Sequence, residues 1–155
     1  DFGNEKDFKR KAAAVTCIQQ YLDIIAKLLR NYGYNVMEDS DDLFGTGSAA
    51  KARFQVAAVV KDMFISIIRT GVNPCTCLVP VDTSYLVTSI SMDVEWQIYD
   101  SIKDKVVLKL ETTGLYYSQE LVTWDDLEIA IFDTFENACL HMMADDRFPQ
   151  VLGGK

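Results

Sequence analysis

The stretch Thr88-Ser89-Ile90-Ser91-Met92-Asp93-Val94-Glu95-Trp96-Gln97-Ile98-Tyr99-Asp100, with its continuation to Tyr117, decides the fold. Met92, Val94, Trp96 and Ile98 fall on one side of an extended chain, and Asp93, Glu95, Gln97 and Tyr99 on the other. A period of two is the signature of a strand with one face in a core and one outside it. Asp100-Ser101-Ile102-Lys103-Asp104-Lys105 then interrupts with turn formers and charge. Val106, Leu108 and Leu110 resume the alternation against Val107, Lys109 and Glu111. Two such runs joined by a short polar connection predict a β-hairpin. Thr112-Thr113-Gly114 is expected to end its second strand, and Tyr116-Tyr117-Ser118 to lead into a loop.

Working outward, Phe54-Gln55-Val56-Ala57-Ala58-Val59-Val60 and Met63-Phe64-Ile65-Ser66-Ile67-Ile68 form one long apolar run. Length alone leaves it open between a buried strand and a helix, and its β-branched content favours a strand. Lys61-Asp62 is expected to mark a bulge or a pause in it. Residues 34–37 are a further short strand candidate.

Helices are expected at both ends. Val15, Ile18, Leu22, Ile25 and Leu29 recur at helical spacing, and Gly33 stands where a left-handed residue would stop the turn. Near the other end, Thr123-Trp124-Asp125-Asp126 has the form of a capping box, followed by a stripe of Leu127, Ile131, Phe135, Ala138 and Met142. His141 is expected to meet the end of that helix or solvent. The expected architecture is α+β, one domain over residues 1–155. It has an antiparallel sheet of about four strands, with N- and C-terminal helices packed on one face.

Charge narrows the function. A net charge of −8 argues against nucleic acid and against adhesion to anionic lipid, both of which need clustered Lys and Arg. No apolar run approaches the roughly 18–20 residues of a membrane span. The chain begins at Asp1, and a removed upstream segment is expected: a signal peptide, a lipid anchor or expression sequence.

Motifs with chemistry in them are sparse. Cys75-Thr76-Cys77 is too close-set for the usual zinc or redox spacing, and a disulfide involving Cys75 and Cys77 is the better reading in an oxidising compartment. The acids of Glu38-Asp39-Ser40-Asp41-Asp42 lack calcium-loop spacing. Gly45-Thr46-Gly47-Ser48-Ala49-Ala50 resembles a phosphate-binding loop, but a strand follows where that loop needs a helix. With one histidine, no Ser/His/Asp constellation in context and no metal set, no catalytic residue, cofactor or metal is expected. Tyr99, Tyr116, Tyr117 and Trp124 lie outside the apolar stripes and are the candidate partner contacts.

The hairpin residues Met92 to Asp100, then Val106-Val107 and Thr112-Thr113-Gly114, resemble a bacterial envelope domain. That domain occurs beside trypsin-like peptidase domains and in periplasmic proteins or lipoproteins. Ala144-Asp145-Asp146-Arg147-Phe148 is similar to its ending, and the Gly33-Tyr34 junction fits its order. The layout also looks like the TolB N-terminal module and the CsgG-type assembly lipoproteins. The resemblance implies a non-catalytic periplasmic or outer-membrane-associated role in a secretion system, flagellar motor or outer-membrane machine. Its partners would then be other envelope proteins or further copies. The alternative is a ligand-binding or regulatory accessory domain of a larger periplasmic enzyme such as a peptidase.

Overall fold

The computed structural model describes residues 4–37, 52–70, 85–119 and 124–153. Cys75, Cys77 and the glycine loop of residues 45–50 lie outside the described residues, as does the side chain of Trp124. The chain divides into two compact units, Asp1–Ala52 and Arg53–Lys155.

The first unit holds helix α1, Asn4–Asn31. Its end is chemically defined. Gly33 takes φ +86°, its N–H donates to Arg30 O at 2.9 Å, and the Tyr34 N–H donates to Leu29 O at 3.0 Å. This pair of bonds satisfies carbonyls that the last turn leaves open, and a Cβ at Gly33 would strain the left-handed backbone. Ile25, Ala26, Leu28 and Leu29 are buried, while Ile18 and Leu22 are exposed, so among the described side chains of the stripe burial begins at Ile25. Residues 34–37 form no strand. A short run of β-formers has no ladder to join there among the described residues, and the expected four strands become three.

The second unit is a three-stranded antiparallel sheet in the order β1-β2-β3, followed by two helices. Strand β1 is Phe54–Thr70, β2 is Tyr85–Asp100 and β3 is Lys105–Ser118. Helix α2 is Trp124–Ala144 and α3 is Arg147–Leu152. The alternation in β2 is realised without exception from Ile90 to Ile98. Ile90, Met92, Val94, Trp96 and Ile98 are buried, and the residues between them are half-buried or exposed. The central strand has neighbours on both edges and α2 over one face, so each inward side chain loses its water. Phe135, Ala138, Cys139 and Met142 of α2 and Phe148 of α3 complete this core. At ~25 cal/mol per Å2 of apolar surface removed from water, such a layer is the main favourable contribution to the fold.

The expected bulge in β1 is present: Val60 pairs with Val94 and Asp62 with Asp93, leaving Lys61 as the extra residue. A further expectation is corrected. Gly114 lies inside β3, and Tyr116, Tyr117 and Ser118 continue the ladder opposite Ile90, Ser89 and Thr88. Glycine read locally is a strand breaker, but here a helix crosses the strand at that point.

Candidate protein-contact face

Helix α2 covers one face of the sheet over β2 and β3, and the opposite face is open. On the open face β1 contributes Val59, Asp62, Phe64, Ser66 and Ile68, opposite Glu95, Asp93, Ser91, Ser89 and Val87 of β2. Strand β3 contributes Lys109, Glu111, Thr113, Leu115 and Tyr117 opposite Gln97, Glu95, Asp93, Ser91 and Ser89. The face therefore divides along the strands into a charged half and an apolar half.

In the charged half Glu95 and Asp93 are engaged by neighbouring polar groups. Glu95 accepts from Gln97 Nε2 and stands 3.5 Å from Lys61 Nζ and 4.0 Å from Lys109 Nζ. The Gln97 hydrogen bond and the two lysines hold its carboxyl below the usual range. Thr113 Oγ1 donates to Asp93 Oδ1 at 2.7 Å.

The apolar half is exposed. Phe64 is 64% exposed, Leu115 63% and Tyr117 61%. Phe64 and Leu115 flank Ser91 on the two neighbouring strands, and Ser66 and Tyr117 flank Ser89. Ser91 between Phe64 and Leu115, and Ser89 beside Tyr117, leave a shallow depression of about 370 Å3.

The candidate contact residues separate. Tyr117 stands in the apolar half, with its hydroxyl accepting from Gln119 Nε2 at 2.8 Å. Tyr116 turns to the covered side opposite Ile90 and is half-buried, although it also borders the depression. Tyr99 is half-buried and its hydroxyl donates to Asp104, which pins the turn where Asp104 takes φ 52°. Phe64 and Leu115 were not singled out by sequence. Phe64 sits in a run that is apolar on both faces, and only knowing which face is uncovered separates it from core.

Asp100, Cys139 and His141 are each held by neighbouring groups of the fold. Asp100 is buried where the hairpin turns. Burial works to raise its carboxyl, and the amides of Ile102 (2.9 Å) and Lys103 (3.3 Å) with the Arg53 guanidinium (3.3 Å) outweigh this and lower it. Burial pushes the Cys139 thiol up to about 12, which leaves it un-ionised and free in the core. His141 is exposed to solvent, as expected, and its Nδ1 also lies 2.8 Å from Thr113 O on β3. Among the described residues no group of His, Cys, Asp and Glu is set to hold a metal ion, and no helix is long and apolar enough to cross a membrane.

Compared with known proteins, the chain matches no family model, and no curated protein is similar to it.

Proposed function

We propose that this chain is a non-catalytic assembly module of a bacterial cell-envelope complex, periplasmic or outer-membrane-associated, working through protein–protein contacts. The observation that carries the reading is the exposed cluster of Phe64, Leu115 and Tyr117 on the open face of the sheet. A soluble fold gains nothing from leaving two large apolar side chains and a tyrosine in water, whereas an interface gains their burial. The acids fit the same reading, because Glu95, Asp100 and Asp145 are each engaged in pairs or turns within the fold. The envelope location rests on the resemblance carried by residues 92–100 and 144–148, which form most of the central strand and the α2–α3 junction.

The test expresses the whole gene in bacterial cells and compares the wild type with Phe64→Ser/Leu115→Ser. The expected wild type fractionates with the envelope in a complex larger than itself, and the double variant leaves that complex while keeping its melting temperature. A cytosolic wild type, or a variant that holds the complex unchanged, overturns the reading. The depression beside Ser89 and Ser91 favours a second reading, an accessory domain that seats an apolar group from a peptidase or its substrate. In that case the same variant alters the activity of the attached enzyme and leaves the size of the complex unchanged.

A further inference from the structure

The two edges of the sheet are not equivalent. On β3, the helix that covers the sheet also closes the edge: Asn137 Oδ1 accepts the Leu115 N–H at 3.0 Å, and His141 Nδ1 caps the Thr113 carbonyl at 2.8 Å. On β1 no described chain pairs with the outer edge. This edge is long and apolar on both faces, with Val59, Phe64 and Ile68 exposed on the open side and Val60, Met63 and Ile67 on the covered side. At its middle stand adjacent opposite charges, Lys61 and Asp62. The Lys61 ammonium reaches Glu95, and Asp62 pairs with Asp93, so both lie on the open face.

We infer that β1 pairs antiparallel with β1 of a second copy about a two-fold axis, with Lys61 of each copy opposite Asp62 of the other. The inference rests on the reading of the chain as an assembly module and names one of its partners as the chain itself.

Two independent constraints select this register. The first is the side-chain alternation. An extra residue at Lys61 inverts the alternation, so the covered-face residues are Val56, Ala58 and Val60 before it and Met63, Ile65 and Ile67 after it. With Lys61 opposite Asp62, Val60 meets Met63, Ala58 meets Ile65 and Val56 meets Ile67, all on the covered side. On the open side Val59 meets Phe64 and Ala57 meets Ser66. A slip of one residue sets Val60 against Asp62 and Val59 against Met63, so that every such pair joins opposite faces. A slip of two sets Lys61 against Val60, or Asp62 against Met63. A bulge in one strand alone throws a ladder out of phase, and a two-fold axis places the same bulge in both.

The second constraint is charge. A lysine in the middle of an edge strand ordinarily guards it against pairing. In this register each Lys61 meets an acid, and the guard becomes two reciprocal ion pairs. Asp62 Oδ1 now accepts the Met63 N–H at 2.8 Å, partly occupying the edge. The pairing releases that amide to a strand partner and gives the carboxylate to the second copy's Lys61. Every other register leaves Lys61 opposite a neutral or like-charged residue, and like charges directly opposite destabilise a pair.

The experiment measures the mass of the full chain in solution by size exclusion with light scattering, at low salt. The expected wild type has twice the chain mass. Lys61→Asp sets acid against acid and Asp62→Lys sets lysine against lysine, so each single variant is expected to fall to one chain mass. Lys61→Asp/Asp62→Lys restores the cross-axis pairs but not the Lys61–Glu95 contact, and is expected to recover the dimer. Val60→Cys/Met63→Cys is expected to form an intermolecular disulfide absent from either single variant. These two positions, three apart on one extended strand, are too far from each other to bridge within a chain. A monomeric wild type, single variants that stay dimeric, or a double variant that does not recover overturns the inference. A monomer that still enters an envelope complex through Phe64 and Leu115 overturns self-pairing alone. A dimer found only in the cytosol overturns the envelope reading alone.

Discussion

Gly114 of β3 lies directly beneath Thr134 of α2: a Cβ on Gly114 would stand 1.9 Å from the Thr134 carbonyl oxygen and 3.0 Å from the Ala138 nitrogen. The contact is backbone against backbone, so no side chain can rotate away to make room. The small residues Ala130, Thr134 and Ala138, all buried, complete the close crossing from the helix side. Gly114→Ala is therefore expected to lift α2 from the sheet and lower stability by about 1–3 kcal/mol, the range for overpacking a core. Urea unfolding checks it, with the exposed Ile129→Ala as a control expected to change by less than ~0.5 kcal/mol.

Thr112 joins three elements. Its Oγ1 accepts the Trp96 Nε1–H at 2.8 Å and donates to Ala138 O at 2.9 Å. Trp96 also lies with its ring centroid 5.5 Å from that of Phe135. Thr112→Val keeps the shape and strands a buried indole N–H, so a loss of about 1–3 kcal/mol is expected. Thr112→Ser keeps the hydroxyl and is expected to recover most of that loss. Thermal unfolding of the two variants, side by side, decides between packing and hydrogen bonding as the cause.

Asp145 gives the fold an acid-sensitive joint between α2 and α3. The Arg147 side chain donates to it at 2.8 and 2.9 Å and the Arg147 amide at 2.9 Å, and these bonds lower its carboxyl from 3.8 to about 2. A carboxyl depressed in the folded state contributes its full stability above the unfolded value of 3.8 and loses it as pH falls toward about 2. The difference in melting temperature between wild type and Asp145→Asn is therefore expected to be full at pH 7 and to shrink as pH falls from 3.8 through about 2. A difference independent of pH would show that the carboxylate charge is not its source.

The Cys139 thiol, buried and pushed up to about 12, is expected to resist a maleimide at pH 8 in the native protein and to react once urea exposes it. Peptide mass spectrometry after labelling reads this at Cys139 alone. Labelling of Cys139 in the native state at the rate of a free thiol would show that α2 opens from the sheet far more often than its packing allows.

The sequence by itself determined β2, the hairpin, the bulge at Lys61 and the two long helices. Each of these is written in local periodicity and turn chemistry, which depend on residues a few positions apart. Alternation in β2 is so legible because both edges and one face of that strand are occupied, and burial then tests every second residue. Tertiary structure alone decided the rest. Gly114 reads as a breaker until α2 crosses it, and residues 34–37 read as a strand until no ladder receives them. Phe64 reads as core until the open side of the sheet is known, and His141 is assigned only by the edge it caps. These outcomes depend on which surfaces meet, and a one-dimensional pattern records that a side chain is apolar without recording what lies across from it.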